Sequence, residues 1–469
     1  MIVKQIRMQK NQLMQSLWLL LLIVTLLIIS TLLPAFQIGS VSFKKINLLA
    51  DIQSDVHKPL AADTLIKEDT LAIAIEKVEP KPEEVVAPVN PRPTGFTCLE
   101  DFSPGKNALR FFFQALKNTK HKPLRVAFFG DSFIEGDILC ASFRDTLQAL
   151  YGGSGVGYVP ITSEAPQFRT TIKHEFENWE TYSLVGKQDQ NIPLGISGYA
   201  FVPLDQNEVT YKPARKQNAK RFDNVRLFYR NRKNADLTYT LNDTIEHASS
   251  LTVSDSLNQL VIKGDNIKSV KFQFNNPDSL IVYGASFEGN SGIYVDNFAL
   301  RGNSGIALYG IDPKLLSQFN QLQDYKLILL QYGLNIVTET DSMDYSWYKT
   351  KMVKVIRRFK EIFPEASIIL IGISDRAGNI DGKIQTIPAI VTMRNTQREI
   401  AEKTQIAFWD LYEAMGGENS IIKFVEAKTP LAAKDYTHLT FKGGQKISKK
   451  LTDAILYERN RYEKKNQVP

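Results

Sequence analysis

The longest apolar segment lies near the N-terminus, where residues 17–33 have the sequence LWLLLLIVTLLIISTLL and carry no charge. Apolar character continues to Phe36, and about 20 such residues span the roughly 30 Å hydrocarbon core of a membrane. Residues 1–16 contain three basic side chains and no acidic one, which predicts that the N-terminus stays in the cytoplasm. We therefore expect one membrane anchor over residues 17–36, with a cleaved signal peptide as the alternative.

Short apolar runs alternate with helical patterns in two separate parts of the chain. Buried parallel strands are predicted for LRVAFFG (124–130), LILLQYG (327–333), SIILIGI (367–373) and IAFWDL (406–411). Amphipathic helices are predicted for residues 107–118, 137–152, 352–363, 393–404 and 446–460. Strands that alternate with helices indicate an α/β sheet with covered faces.

The middle of the chain has a different pattern. Short runs of alternating apolar and polar residues, separated by turn residues, occupy 224–231, 237–242, 259–264, 270–276 and 279–286. This pattern is typical of an antiparallel β-sandwich. An all-β domain is therefore expected to be inserted into the α/β domain, which continues after it.

A proline-rich segment separates the predicted anchor from the globular part. Residues 51–95 contain six prolines among alternating Glu and Lys, and proline fixes φ and removes a donor, so we expect a semi-extended spacer. The predicted divisions are a cytoplasmic tail (1–16), the anchor (17–36), the spacer (37–97), the first α/β part (98–165), the β-sandwich (166–294) and the second α/β part (295–469).

The net charge of +7 is confined to the two ends of the chain. Residues 1–16 contribute +3 and residues 446–469 contribute +4, so the positions between them are neutral. A nucleic-acid partner is therefore not expected, since such proteins carry a basic patch on a folded surface. The only cysteines, Cys98 and Cys140, leave a disulfide open, and no histidine has metal-ligand spacing with them.

A candidate nucleophile follows the first predicted strand. Residues 124–130 lead directly into Gly130-Asp131-Ser132, and the carboxyl ends of such strands are where α/β folds hold reactive groups. A serine at a strand-to-helix turn also has its own backbone N–H near a helix N-terminus, where negative charge is stabilised. The alternative is that Asp131 or Ser132 only caps the helix.

A serine needs a base, and His438 is the histidine best placed to be one. Asp435 precedes it by three residues and can orient the imidazole from a tight loop. The other histidines lie in the spacer, in the predicted sandwich or before the first strand; they are His57, His121, His174 and His247. The alternative for residues 435–438 is a surface loop with a helix cap.

Acyl transfer also needs donors for the tetrahedral oxyanion. Asn335 follows the strand at 327–333 and has an amide at the same edge of the predicted sheet. The segment Gly302-Asn303-Ser304-Gly305 can offer a backbone N–H that no side chain shields. A plain β-turn at 302–305 and a helix cap at Asn335 are the alternatives.

Four motifs occur in one order: Gly-Asp-Ser, a glycine turn, Gly-x-Asn and Asp-x-x-His. The order resembles the four blocks of the SGNH (GDSL-like) hydrolase superfamily, and HLTFKGGQKISKKL (438–451) is similar to its last block. The resemblance covers residues 98–165 and 295–465 and implies a flavodoxin-like, three-layer parallel sheet. It implies that Ser132 is the nucleophile, that His438 is the base and that Asp435 orients the base. The implied oxyanion donors are Ser132, Gly305 and Asn335, with Gly302 as the alternative to Gly305.

The position of the β insert gives a narrower resemblance. Bacterial peptidoglycan O-acetylesterases have a carbohydrate-binding-like sandwich there, and YGGSGVGYVP (151–160), LQYGLN (330–335) and FWDLYEAMGG (408–417) are similar to their segments. Two departures lie beside the pocket. Phe133-Ile134-Glu135 replaces a histidine-containing turn, and Ile336 stands where an acidic residue often follows the asparagine.

The resemblance implies a membrane-anchored serine esterase that removes O-acetyl groups from a cell-envelope glycan, with peptidoglycan as the expected substrate. No cofactor and no metal are implied. The expected location is the cytoplasmic membrane, with the catalytic domain periplasmic or otherwise extracytoplasmic. An O-acetyltransferase supplied by a membrane acyltransferase partner is one alternative, and a glycan-binding protein without activity is the other.

Overall fold

The computed structural model describes Trp18, the strands Phe36–Ile38 (β1) and Val41–Phe43 (β2), and residues 95–214, 222–338 and 344–465. β1 and β2 pair antiparallel, and the chain divides into two compact units, residues 1–86 and 87–469. Most of the predicted anchor at 17–36 and of the spacer at 37–97 lies outside the described residues. Within the described residues, no helix has the length and apolar character needed to cross a membrane.

The described part of the second unit contains seventeen strands. They are β3 (Leu99–Asp101), β4 (Leu124–Gly130), β5 (Gly157–Val159), β6 (Ile172–Ser183), β7 (Tyr199–Pro213), β8 (Phe222–Asn231), β9 (Asp236–Leu241), β10 (Ile245–Ser250), β11 (Ser254–Ile267), β12 (Val270–Asn275), β13 (Leu280–Glu288), β14 (Ile293–Ala299), β15 (Tyr325–Gln331), β16 (Ser367–Ile371), β17 (Ala377–Ile380), β18 (Lys383–Thr386) and β19 (Ala407–Trp409), counted over residues 95–214, 222–338 and 344–465.

The helices of this unit lie mainly in its second half. They are α1 (Arg110–Leu116), α2 (Cys140–Tyr151), α3 (Pro313–Gln323), α4 (Ser346–Ile362), α5 (Ala389–Thr404), α6 (Leu411–Met415), α7 (Ser420–Glu426) and α8 (Phe441–Lys465). Short 3₁₀ helices occupy Ser132–Asp137, Pro166–Phe168 and Ile306–Gly310.

Local signals account for several of these bounds. α3 begins where the Asp312 side chain accepts a hydrogen bond from Lys314 N, with Pro313 at the first helical position. α2 ends at Gly152, whose φ of 81° terminates the helix. The helix predicted from residue 137 begins at Cys140 instead, because the preceding residues form a 3₁₀ turn.

The α/β part is built on a six-stranded sheet with the order β14-β4-β15-β16-β19-β3. All neighbours are parallel except β3, which pairs antiparallel with β19. Along the chain the five parallel strands have the order 2-1-3-4-5, a doubly wound arrangement with its switch point between β4 and β15. The prediction of an α/β fold with a parallel sheet is confirmed.

This sheet lies in the larger of two apolar cores. Every residue of β4 is buried, as are all five of β16, which explains why their sequences are apolar except at Arg125 and Ser367. Among the helices, α2 packs against α8, and α4 packs against both α3 and α5. The switch point therefore lies between two strands that are almost wholly buried.

The inserted strands form a nine-stranded antiparallel sheet with a second core. Its main path is β10-β9-β12-β7-β13-β8-β11, with β6 beside β7 and β5 beside β13. β7 and β13 pair at a single position, Phe201 with Val282, so the sheet divides there into two parts around the core. β5 shows that this sheet also includes residues before 166.

A buried ion pair connects the two sheets, and a second one lies within the α/β part. Arg125 of β4 pairs with Glu288 of β13 and lies 3.5 Å from Asp296 of β14. Arg144 of α2 donates to both carboxylate oxygens of Asp137, at 2.9 and 3.2 Å. Burial of such charges is tolerated only when each is paired and hydrogen-bonded. No disulfide joins the two cysteines in the described part of the chain.

Candidate active site

The candidate nucleophile lies immediately beyond the carboxyl end of β4. Ser132 begins the 3₁₀ helix Ser132–Asp137, and the Asp131 side chain caps it by accepting from Phe133 N at 2.9 Å. The predicted cap is therefore present at Asp131. It leaves the Ser132 side chain available for another partner.

That partner is His438. Ser132 Oγ lies 3.0 Å from His438 Nε2, and His438 Nδ1 lies 2.7 Å from Asp435 Oδ2. The structure thus brings together the three residues expected to act as nucleophile, base and orienting group. The arrangement can transfer a proton from the hydroxyl to the imidazole while the carboxylate stabilises the cation.

The loop that holds His438 is tightly bonded. Asp435 Oδ1 accepts from the backbone N–H groups of Thr437 and His438, each at 3.0 Å, and Ala433 N donates to the His438 carbonyl at 2.8 Å. A short antiparallel bridge between Ala432 and Leu439 closes the loop. This bonding fixes the imidazole relative to the carboxylate.

Electrostatics keep Asp435 ionised. Partial burial raises its pKa, but the hydrogen bonds from the His438 ring and from two backbone N–H groups outweigh this, and the pKa of Asp435 lies below its usual value. The side chains of His438 and Asp435 are 36% and 49% exposed. The site is therefore open to solvent.

Asn335 lies at the same edge, after β15, but its amide is already engaged. Asn335 Nδ2 donates to Asp131 Oδ2 at 2.9 Å and to the Asn303 carbonyl at 3.1 Å. Asp131 is fully buried, and burial raises its pKa to about 6 against the opposing effects of the hydrogen bonds that it accepts from Phe133 N and Asn335 and of nearby His438. Asp131 thus connects the nucleophile turn to Asn335, a role that its position within Gly-Asp-Ser did not reveal.

The two candidate glycines differ in their surroundings. The backbone N–H of Gly305 donates to Asn303 Oδ1 at 2.9 Å, and a Cβ there would lie 2.8 Å from the Tyr332 ring. At Gly302, φ is +76° and a Cβ would meet nothing within 4 Å. Among the described residues, neither Gly302 N–H nor Ser132 N–H has a protein acceptor. The geometry therefore favours Gly302 over the expected Gly305.

The remaining histidines lie away from this site or outside the described residues. His174 is buried in the antiparallel sheet, stacked on Tyr211, and burial lowers its pKa to about 4. His247 stacks on Tyr239 at the edge strand β10. In the described ranges, no three His, Cys, Asp or Glu side chains are grouped to hold a metal ion.

One cavity, of about 380 Å³, is lined by residues near the amino ends of β16 and β19, among them Asn107, Lys360 and Gln405. It lies at the edge of the parallel sheet opposite to Ser132 and includes none of the predicted site residues. At the candidate site the side chains of His438 and Asp435 are open to solvent.

Fold and site together define a doubly wound α/β protein with a serine at its switch point. No family model and no curated protein matches the chain. Among solved structures it is similar to a peptidoglycan O-acetylesterase, with 19% identity, a TM-score of 0.63, and coverage of 77% of this chain and 99% of that chain. This similarity shows that the two proteins share a fold.

Two other solved structures are similar at lower scores. One is the acetyl xylan esterase AlAXEase, with 17% identity, a TM-score of 0.26, and coverage of 36% of this chain and 81% of that chain. The other is a family two carbohydrate esterase from Cellvibrio japonicus, with 9% identity, a TM-score of 0.26, and coverage of 60% and 98%.

Proposed function

We propose that the protein is a serine esterase in which Ser132 is the nucleophile, His438 the general base and Asp435 the residue that orients it. The observation that supports this most directly is the unbroken series of contacts from Ser132 Oγ through both ring nitrogens of His438 to Asp435, at 3.0 and 2.7 Å. A serine hydroxyl is a weak nucleophile until a base accepts its proton. A binding protein without activity has no need for this geometry.

In the proposed reaction, Ser132 Oγ attacks the acetyl carbonyl and its proton moves to His438 Nε2. The protonated His438 then gives that proton to the leaving sugar oxygen, and an acetyl-enzyme remains. His438 next removes a proton from water, which attacks the acetyl-enzyme, and the protonated His438 returns that proton to Ser132 Oγ as acetate leaves. Asp435 holds the Nδ1–H of His438 throughout and stabilises the imidazolium.

The oxyanion donors in this proposal are the backbone N–H groups of Ser132 and Gly302 and the amide of Asn335. The two backbone donors lack protein acceptors among the described residues, which leaves them available to an oxyanion. Asn335 donates to Asp131 and to the Asn303 carbonyl in the resting site. It therefore has to share or exchange one of these hydrogen bonds when the oxyanion forms.

We propose O-acetylated glycans of the cell envelope as the substrate class, with peptidoglycan as the expected substrate. The support is the fold shared with a peptidoglycan O-acetylesterase over 99% of that chain. The 77% of this chain that takes part is more than the two α/β segments make up, so the shared fold includes inserted strands. The exposure of His438 and Asp435 favours water over a sugar hydroxyl as the acetyl acceptor.

We also propose that residues 17–36 anchor the protein in the cytoplasmic membrane with the catalytic domain outside the cytoplasm. The support is the uncharged apolar run at 17–33 and the basic residues before it. An anchored protein stays in the membrane pellet after an alkaline carbonate wash. Release of the full chain into the supernatant would contradict the anchor.

The test of the enzymatic proposal measures acetate released from O-acetylated peptidoglycan by the full chain in detergent micelles. Ser132→Ala removes the nucleophile, and Ser256→Ala serves as the matched control because Ser256 is an exposed serine of β11. We expect release by the wild type and by Ser256→Ala, and none above background by Ser132→Ala.

The other outcomes separate the alternatives. Cleavage of a simple aryl acetate that depends on Ser132, without release from the wall, would retain the serine hydrolase and reject peptidoglycan as the substrate. Transfer of acetyl to an added glycan, in preference to water, would support the transferase. No turnover of either ester would overturn the enzymatic proposal.

A further inference from the structure

A cationic side chain lies between the two loops that hold Asn335 and His438. The Arg376 guanidinium is 3.5 Å from the carbonyl of Leu334, the residue before Asn335. The next residue along, Ala377, donates its backbone N–H to the Tyr436 carbonyl at 3.1 Å, two residues before His438. Arg376 thus adjoins both loops at the carboxyl edge of the parallel sheet.

The backbone around Arg376 is held on every side. The Arg376 carbonyl accepts from Ile387 N at 3.0 Å. Its neighbour Asp375 is fully buried and accepts from Thr386 Oγ1 at 2.8 Å and from Ile421 N at 2.9 Å. This bonding positions Arg376 before any ligand arrives, so little backbone entropy is lost on binding.

The Arg376 guanidinium has N–H groups beyond the one that donates to Leu334. Its single hydrogen bond to Leu334 is long, and among the described residues no carboxylate forms an ion pair with it. Other arginines on neighbouring elements are paired: Arg394 and Arg398 both contact Asp410 at 2.7 Å. A half-buried arginine whose fork is largely unused is suited to bind a carboxylate or phosphate.

The arginine on the opposite side of the nucleophile is already paired. Arg301, which precedes Gly302, pairs with Glu135 of the nucleophile turn and lies 3.9 Å from Glu164. Because two carboxylates engage this guanidinium, Arg301 is less suited than Arg376 to bind an anionic substrate group.

We propose that Arg376 binds an anionic group, a carboxylate or a phosphate, on the alcohol part of the ester substrate. The inference rests on the proposed esterase function and adds to it the charge class of the substrate. It makes Arg376 a binding residue that orients the substrate, with no part in proton transfer.

Three aryl acetates of similar size test this with the full chain. They are 4-acetoxybenzoate, 4-acetoxyphenyl phosphate and the neutral 4-acetoxybenzamide. Each variant is described by the ratio of kcat/KM for an anionic ester to that for the neutral one, so that intrinsic leaving-group reactivity cancels between variants. The variants are Arg376→Gln, Arg376→Lys, and Lys383→Gln as the matched control.

In Arg376→Gln we expect this ratio to fall about tenfold, mainly through KM, which corresponds to about 1.4 kcal/mol. Arg376→Lys should restore part of the preference, because lysine keeps the charge but not the planar fork. Lys383 is an exposed cation of β18, so Lys383→Gln removes the same charge and should leave the ratio within twofold. A ratio that falls only for the phosphate or only for the benzoate identifies which anion is bound.

Failure of the inference and failure of the proposed function are distinguishable. Ser132-dependent cleavage of the neutral ester, with a ratio unchanged in Arg376→Gln, overturns the inference and leaves the esterase intact. If no ester is cleaved, the esterase proposal fails. Calorimetry then tests the inference about Arg376 by itself, by comparing the binding of 4-acetoxybenzoate to Ser132→Ala with and without Arg376→Gln. A dissociation constant that weakens about tenfold supports the inference, and an equal or undetectable affinity in both overturns it.

Discussion

Replacement of Asp435 by asparagine is the sharpest single test of the proposed site. Asp435 accepts three hydrogen bonds, from the His438 ring at 2.7 Å and from the backbone of Thr437 and His438 at 3.0 Å each. In Asp435→Asn the amide oxygen can keep the backbone contacts, but the amide nitrogen then faces His438 Nδ1. The imidazole is driven to the tautomer with a proton on Nε2, which cannot accept the proton of Ser132.

The size of the loss follows from the strength and exposure of the contact. A hydrogen bond to a charged group contributes roughly 1.5–3 kcal/mol, which is about 10- to 150-fold in rate. A fully buried aspartate in an analogous arrangement accounts for about 10⁴-fold. Because Asp435 is 49% exposed, solvent screens its charge, and we expect a loss of about 100-fold.

The assay is the initial rate of 4-nitrophenyl acetate hydrolysis by the full chain, with kcat and KM determined separately and the uncatalysed rate subtracted. Asp453→Asn is the matched control, since it removes a surface carboxylate that pairs with Lys449 on α8. We expect kcat to fall in Asp435→Asn, KM to change little and the melting temperature to stay close to that of the wild type. A loss below threefold would refute the orienting role of Asp435.

Three further predictions concern the surroundings of the triad. Gly305→Ala should lower the melting temperature by overpacking. Gly302→Ala should lower kcat, with a stability loss of only about 1–2 kcal/mol from its left-handed φ. Kinetics and thermal melts of both variants check this, and the reverse pattern would favour Gly305 as the donor. Asp131 has a pKa of about 6 in the folded state against 3.8 as its ordinary value. Between these pH values the folded state keeps a proton that the unfolded state has released, so the free energy of unfolding falls as the pH rises from about 4 to 6. The loss from this group is about 3 kcal/mol. Denaturant titrations across this window should show the wild type losing that amount relative to Asp131→Asn, and a difference independent of pH would contradict the assignment. Arg144→Met should lower the free energy of unfolding by roughly 3 kcal/mol, because it leaves Asp137 buried with its main partner removed. Urea unfolding measures this, and a change below about 1 kcal/mol would show that the ion pair is not needed for stability.

The strands of the parallel sheet were predictable because their signal is local. The run 124–130 is β4 with the same bounds, and its seven buried positions explain why Arg125, which is paired with Glu288, is its only polar residue. The helix expected from residue 137 was misjudged at its start, since the apolar periodicity of 137–152 does not distinguish a 3₁₀ turn from an α-helix. The pairing of β5, which precedes residue 166, with the antiparallel sheet could not be predicted either, because strand pairing depends on partners that are distant in the sequence.

The candidate site shows the same division. The four motifs in order predict a site made of Ser132, Asp435 and His438, and the structure brings these three side chains together. Their catalytic roles belong to the proposed function. The choice between Gly302 and Gly305 was not available from the sequence, because both glycines fit the spacing. It depended on which backbone N–H another side chain occupies, and Asn303 occupies that of Gly305.

What the sequence by itself determined is the set of elements and the residue types at their ends, because apolar periodicity, glycine and proline act over a few residues. What only the tertiary structure decided is which of those ends meet. Ser132 and His438 are 306 positions apart and come within 3.0 Å because β4 and the last loop both end at one edge of the sheet. The use of Asp131 to hold Asn335, and the unpaired guanidinium of Arg376 among the described residues, likewise depend on contacts across the fold.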